Sequence, residues 1–498
     1  MVKIGEIISQ NPWWSQGKEF ALYDPYFKGA KPIFFERRSF PLEKGAIYIL
    51  RGCRQVGKTT YLKEIIRGLI QKGIPPRHIL YLSLDFFTSR RELRNAVTYF
   101  LDLTVEADQV YLFFDEITAL EGWNLELKYL ADQGITQRAI VMCSGSSAFR
   151  IKEKGELLPG RGLEGNEYHF KPLTFREFVL QTAEYIGKFA PSEEFSQRLT
   201  KLMAILPKCY VDLDAKLEEV KGCIAEIIPY KKEVQYLFRI YLTTGGMPLV
   251  INHYFDQRFE KSQEGIGSAI SEIFMRSVLG DLSHQQKQEI LIRKILRAIL
   301  EKYGSRYSFS KLSREIEQTH VTTIDYLNLM EESFILFVHY AYDFSKKDIK
   351  YRGDKKIYFI DPFIYYAIQA YLNGSEVWEV ITKVSQDEAI QSHLVEGVVL
   401  SHLLLHKELP YLRKGRTFLW TYYDKAGREI DAVFRGYEGY RGIEVKYQAE
   451  VDERGVRRVT PIRDYILLSR EDIGGKGNVL IAPVDLFLSL LPGSERNL

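Results

Sequence analysis

At 498 residues the chain is too long for one hydrophobic core, so about three domains are expected. Its 46% hydrophobic and 27% charged content is ordinary for a globular protein, and a formal net charge of +3 is too small to mark a nucleic-acid partner by itself. Four scattered cysteines (Cys53, Cys143, Cys209, Cys223) contain no Cys-x-x-Cys pair, which argues against a disulfide framework or a cysteine zinc site and fits a reducing compartment.

The opening MVKIGEIISQNPWW lacks the basic-then-apolar pattern of a signal peptide, and no run approaches the ~20 apolar residues that span a bilayer. A cytoplasmic location without membrane contact is the expectation. Ala46–Leu50 (AIYIL) is a short apolar run of the kind a buried parallel strand needs. It leads into Gly52-Cys-Arg-Gln-Val-Gly57-Lys58-Thr59, a complete G-x-x-x-x-G-K-T, and then an amphipathic helix over Tyr61–Ile70. Strand, glycine loop and helix stand in the order that phosphate binding requires. Backbone N–H groups of Gly52, Arg54, Gln55, Val56, Gly57, Lys58, Thr59 and Thr60 curl around the phosphates of ATP, with the helix N-terminus behind them. Lys58 bridges the β- and γ-phosphates in this reading, and Thr59 ligates Mg2+.

Ile79–Leu84 is the next strand, ending at Asp85. Val110–Phe114, taken as a neighbour of the P-loop strand, ends in Asp115-Glu116. An acid at that point can hold magnesium, so Asp115 is the candidate ligand and Glu116 the general base that polarises the attacking water. Ala139–Cys143 follows and runs into Ser144-Gly-Ser-Ser147. Gly160-Arg161-Gly162 precedes a last short strand near Tyr168–Phe170. An arginine between loop glycines can reach a phosphate as an arginine finger, in its own subunit or in a neighbour's within a homo-oligomer; a solvated loop arginine is the alternative.

Residues 172–280 are helical by pattern, and Gly245-Gly246-Met-Pro248 reads as a glycine stop followed by a proline that forbids continuation. Between 286 and 350, helices are expected at Ile290–Lys302, Lys311–Glu317 and Thr322–Ser333, with Ser308 and Ser310 as N-cap candidates. Strands at Phe334–Tyr342 and Lys355–Ile360 follow, joined by a Lys-rich loop. Three helices and a hairpin describe a winged helix-turn-helix. DNA contact in it would rest on Lys346, Lys347, Lys350, Arg352, Lys355 and Lys356, because the third helix carries Asp325, Glu331 and Glu332.

From about residue 385 a helix carries Glu396; Asp431 and then Glu444-Val-Lys446 lie on later strands. The period of two puts Glu444 and Lys446 on one strand face. Asp431 and Glu444 can share Mg2+ or Mn2+, Lys446 can stabilise developing charge, and Glu396 is a further candidate ligand. A buried ion pair left after loss of activity is the alternative. His402 and His406 sit one helical turn apart without the glutamate of H-E-x-x-H, which reads as a helix face rather than a zinc site.

The strand order resembles the additional-strand, catalytic-glutamate class of P-loop ATPases. That resemblance implies a γ-phosphate-sensing role for Ser144, with Ser146 as the competing choice and an ordinary strand exit as the bland one. Over nearly its full length the chain resembles AAA+-related archaeal and bacterial ATPases that carry a winged helix and a restriction-endonuclease-like domain with a PD-(D/E)xK core. The residues that carry it are Asn11-Pro-Trp-Trp14, Arg54–Thr60, the strand LFFDEI, Ser144–Ser147, Gly160–Gly162, Gly245–Pro248 and Glu444–Lys446. The resemblance implies an α/β architecture in four parts: an AAA+-like P-loop NTPase domain at 1–172, a helical lid at 173–284, a winged helix at 285–370, and a nuclease-like α/β domain at 371–498. The function expected is ATP hydrolysis coupled to DNA processing, repair or surveillance. A nucleotide-controlled signalling switch with a protein partner and an inert nuclease fold is the competing class, and a translocating ring motor a third.

Overall fold

The computed structural model describes residues 4–27, 31–37, 39, 41–145, 166–263, 265–283, 288–406, 418–426, 428–436, 439–452 and 458–493. Its contacts divide the chain into two units: Met1–Lys31 with Ser39–Lys171, and Pro32–Arg38 with Pro172–Leu498.

The apolar runs of the first unit become five parallel strands: β1 (Ile47–Gly52), β2 (Ile79–Ser83), β3 (Val110–Asp115), β4 (Ala139–Gly145) and β5 (Glu167–Phe170). Every residue of β1, β3 and β4 is buried, which is why they read as unbroken apolar runs rather than alternating ones. The order is β2-β3-β4-β1-β5. Thus β3 does not pair with the P-loop strand as expected; β4 lies between them, hydrogen-bonded to both. Because all five run the same way, the ends of β1, β3 and β4 lie along one edge of the sheet. Helices Lys58–Gln71, Arg90–Leu103 and Trp123–Asp132 alternate with the strands. Leu93, Phe100 and Leu127 pack with Ile49, Leu82, Leu112, Val141 and Cys143 in one core.

Edge strand β2 would leave backbone groups unpaired, and the N-terminal segment satisfies them with side chains. Fully buried Asn11 gives Nδ2–H to the carbonyl of Tyr81 (2.9 Å) and accepts from its N–H (2.7 Å), as a neighbouring strand would. Gln10 Oε1 accepts from the N–H of Ser83, and both Trp13 and Trp14 donate to Ile79 O.

In the second unit six helices, from Phe175–Lys188 to Ser268–Ser283, precede a mixed module. The first opens on a capping box, Thr174 with Glu177. Pro248 begins the next helix rather than merely stopping the last, and Gly246 is a joint: its N–H donates to Asp361 Oδ2 and its carbonyl accepts from Leu173 N, both at 2.7 Å. The module comprises helices Glu289–Glu301, Phe309–Glu315 and His320–Glu332, then β6 (Leu336–His339), β7 (Tyr342–Asp343), β8 (Asp348–Ile349) and β9 (Lys356–Phe359). Ser308, not Ser310, caps its second helix. β6 pairs antiparallel with β9, and β7 with β8.

Helices Pro362–Asn373, Val377–Gln386 and Glu388–His406 lead to a five-stranded mixed sheet: β10 (Leu419–Tyr423), β11 (Glu429–Gly436), β12 (Gly439–Lys446), β13 (Ile462–Ser469) and β14 (Val479–Pro483). Pairing is antiparallel through β12 and parallel beyond it. The Glu388–His406 helix packs on β11 and β12.

Candidate functional site

Between β1 and the Lys58–Gln71 helix the chain turns through two left-handed positions, Gln55 (φ 67°) and Gly57 (φ 92°). Gly57 suits its place because a Cβ is disfavoured at that φ. The turn brings Lys58 back over the loop, where its buried Nζ donates to Gly52 O (2.9 Å) and Cys53 O (3.1 Å). Thr59 and Thr60 occupy the first turn of the helix, at its positive end.

Asp115 closes β3 and is 3% exposed. Its Oδ1 accepts from the Ser144 hydroxyl and its Oδ2 from Tyr81 OH at 2.8 Å. Glu116 leaves the strand in a left-handed conformation (φ 49°), and its N–H donates to Ser144 Oγ at 3.1 Å. The interposed β4 explains this, since it sets Ser144 beside the end of β3. The single hydroxyl hydrogen of Ser144 is committed to Asp115, so this geometry gives Ser144 to the acidic pair rather than to a phosphate. Ser146, Arg161 and the rest of Gly160–Gly162 lie outside the described residues.

Sequence reasoning missed Tyr81. Burial and the Asp115 charge both push its phenol far above its ordinary pKa, so it stays a donor. The available signal was a lone aromatic hydroxyl among the aliphatic residues of the strand, two positions before Ser83, which is in register with Asp115. Lys63 was missed too. Its Nζ pairs with Asp24 Oδ2 (3.1 Å) and lies 4.4 Å from the Tyr81 ring centre and 5.2 Å from that of Trp13. Tyr26 is raised by burial first and by Asp115 and Asp24 next, while a hydrogen bond with the Thr59 side chain opposes the shift.

The second cluster departs from expectation. Glu396 and Asp431 do come together, but around Lys356 of β9, which is 4% exposed. Its ammonium stands 2.6 Å from Glu396 Oε1, 2.9 Å from Glu429 Oε1 and 3.2 Å from Asp431 Oδ1. Tyr358 OH also donates to Glu396 Oε1 (2.6 Å), and Asp431 Oδ2 accepts from Val445 N (2.9 Å). Buried Glu444 pairs instead with Lys446 at 3.3 Å. The ammonium thus stands between Glu396 and Asp431, the outer two of the three expected metal ligands, while Glu444 faces Lys446. Among the described residues no group of three or more His, Cys, Asp or Glu side chains is arranged to hold a metal ion. A cavity of about 520 Å³ opens here, lined among others by Arg306, His393, Glu396, Asp431 and Lys446.

The basic stretch needs the same correction. Lys355 is buried with its Nζ 4.3 Å from the Phe309 ring centre, and Lys356 is in the ion cluster, so neither reaches a phosphate. Lys350 donates to Tyr423 O (3.2 Å); Lys346, Lys347 and Arg352 are exposed. His402 and His406 serve packing: His402 Nε2 accepts the N–H of Phe175 at a helix start, and His406 meets Pro492 O and Asp212.

Residues 44–179 match the family model of the AAA domain. That span begins just before β1, takes in all five strands and ends within the Phe175–Lys188 helix, so the first unit is an AAA-type P-loop domain with a parallel sheet. A second model, a domain of unknown function (DUF8612), matches residues 235–375. The uncharacterized protein MJ1637 of Methanocaldococcus jannaschii is 25% identical over 460 residues, 90% of this chain and 86% of that protein. An uncharacterized protein of Haemophilus influenzae is 24% identical over 314 residues, 60% and 64% of the two chains. Among solved structures, Cdc6p from Pyrobaculum aerophilum overlaps 70% of this chain and 88% of its own at 13% identity and a TM-score of 0.25. Among the described residues no helix is long and apolar enough to cross a membrane.

Proposed function

We propose that the chain binds ATP with Mg2+ in the Gly52–Thr60 loop and hydrolyses it, and that turnover serves work on DNA by the second unit. The observation that carries the ATPase reading is the Tyr81–Asp115–Ser144–Glu116 constellation at the end of the sheet that also carries the Lys58 loop. The oxygen donors Thr59 and Asp115 suit a hard cation, and Mg2+ there supplies charge neutralisation for the phosphates. Lys58 exchanges its bonds to Gly52 O and Cys53 O for phosphate oxygens. Ser144 and Tyr81 fix the Asp115 carboxylate, and Glu116 orients and deprotonates the attacking water. Arg161 is the candidate finger, from the same chain or from a neighbour in a homo-oligomer.

The DNA reading rests on the three-helix module with its β6–β9 strands, taken as a winged helix, and on exposed Lys346, Lys347 and Arg352 near its hairpin. The β10–β14 domain, with Glu396 on a helix and Asp431 and Glu444-x-Lys446 on adjacent strands, is read as a PD-(D/E)xK nuclease-like fold. ATP hydrolysis measured with and without single-stranded, duplex and branched DNA tests the proposal. DNA-stimulated turnover that Lys58→Ala abolishes supports it; turnover indifferent to every DNA form sinks the DNA half.

One observation favours a second reading. Lys356 neutralises two of the carboxylates a nuclease would use, Glu396 and Asp431, which suits a nucleotide-controlled switch with an inert nuclease fold and a protein partner. Slow turnover, tight nucleotide retention and no DNA affinity are its signature.

A further inference from the structure

The ion cluster of the second unit is more than an acidic group near a lysine. An ammonium carries three hydrogens, and three carboxylates, Glu396, Glu429 and Asp431, surround the one on Lys356 at 2.6–3.2 Å. Each of the three acids also has a further polar neighbour. Glu396 Oε1 takes a second bond from Tyr358 OH, and His393 Nδ1 lies 3.7 Å from Oε2. Asp431 Oδ2 is held by Val445 N, and Arg306 pairs with Glu429 Oε2 at 3.3 Å. Burial works against the charge on Lys356, yet Asp431, Glu396 and Glu429 together raise its pKa well above the ordinary lysine value. Glu396 is raised by burial and by Asp431, while Asp431 is lowered, with Lys356 the main stabilising charge.

The lysine comes from a different part of the chain, β9, 40 residues before Glu396 and 75 before Asp431. The next alternate position of that strand continues the role: Tyr358 donates to Glu396. On the other strand of the pair, buried His339 donates Nε2–H to the carbonyl of Asp431 at 2.8 Å and is kept neutral by burial. Both strands of the β6/β9 pair therefore reach into the start of β11.

We propose that Lys356 is the resident cation of this centre: it occupies the space between Glu396 and Asp431, two of the carboxylates that a nuclease-like core would offer a divalent ion, and it pins the β6/β9 pair to the C-terminal sheet. A divalent ion bound between the same oxygens at ~2.0–2.6 Å would share their volume with the ammonium and meet its positive charge. The wild-type centre is thus loaded with an internal cation and takes no metal. This rests on the nuclease-like reading of the β10–β14 domain, and the test separates the two.

Full-length protein is titrated with Mn2+, free Mn2+ being read by electron paramagnetic resonance, without nucleotide and in a Thr59→Ala background that silences the P-loop metal site. Asp431→Asn, Lys356→Ala and the two combined are run beside it, with circular dichroism to establish that each is folded. DNA cleavage is read in the same samples. The expected result is no site in the Thr59→Ala parent, a site at least tenfold tighter in Lys356→Ala, and its loss when Asp431→Asn is added. A Mn2+ site in the parent that Asp431→Asn alone removes overturns the proposal whether or not the Lys356 variants fold, and accompanying cleavage would leave the nuclease-like reading standing. A folded Lys356→Ala protein that gains no site overturns it as well, and takes the nuclease-like reading of these carboxylates with it.

Discussion

Asp115 has no hydrogen of its own to give, so its orientation depends on Tyr81 OH and the Ser144 hydroxyl, one on each oxygen. Tyr81→Phe keeps the ring against Lys63 and deletes one donor. A hydrogen bond to a charged group is worth about 1.5–3 kcal/mol, so the Mg2+ concentration for half-maximal ATPase should rise by roughly ten- to a hundredfold while the KM for ATP moves little. Ser144→Ala removes the other donor and the acceptor of the Glu116 N–H, so it should lower kcat as well as raise the Mg2+ concentration needed for half-maximal ATPase. Unchanged steady-state kinetics in both variants would deny these hydroxyls a positioning role. Elsewhere, half-buried Glu331 accepts from Val338 N, and desolvation raises its pKa to about 7. In the unfolded chain it titrates near its ordinary value, so between roughly pH 4.5 and 7 the unfolded state loses its proton first. Wild-type stability should fall through that window and then level off. Glu331→Gln retains the acceptor without the titration, and chemical denaturation should find it more stable than wild type above pH 7, by on the order of 2–3 kcal/mol, and equal to it near pH 4.

At the scale of elements, what was legible followed burial. β1, β3 and β4 declared themselves because a strand covered on both faces must be apolar throughout, and the P-loop declared itself because glycine, lysine and threonine are each tied to one task. What lies between elements was hidden. Nothing in Val110–Phe114 says that β4 intervenes before β1, and nothing in the run of lysines at 346–356 says which of them turn inward. Lys356 looked like part of a basic wing because its acidic partners are tens of residues away. The N-terminal Asn11-Pro-Trp-Trp14 carried a resemblance but no visible purpose until Asn11 was found completing the edge of β2. Asn11→Ala strands both backbone groups of Tyr81 in a buried setting, a loss of about 2–4 kcal/mol. Thermal unfolding of the first unit should shift down accordingly, and because Tyr81 also holds Asp115, ATPase should weaken at temperatures where the variant is still folded. Gly246 is the equivalent joint in the second unit: a Cβ there would stand 2.0 Å from Leu173 O, so Gly246→Ala should destabilise by several kcal/mol or prevent folding.

For the whole molecule, the division into two compact units means that nucleotide and melting can be read separately. The proposed ATP-binding residues Gly52–Thr60, Asp115 and Glu116 all belong to the first, whereas Lys356, Glu396 and Asp431 belong to the second. A ligand that binds only the folded first unit stabilises it by RT ln(1 + [L]/Kd), about 2.7 kcal/mol at a hundredfold excess over Kd. Differential scanning calorimetry should therefore resolve two transitions, of which Mg·ATP, or a non-hydrolysable analogue, raises one and leaves the other in place. Lys58→Ala should abolish the shift without moving either transition in the nucleotide-free protein by a comparable amount. The lysine's two bonds to loop carbonyls are modest, so its main effect is on phosphate binding. If both transitions instead climb together with nucleotide, the second unit responds to the state of the first. The coupling that the DNA-directed and switch readings both require would then be measurable in the protein alone, before any partner is added.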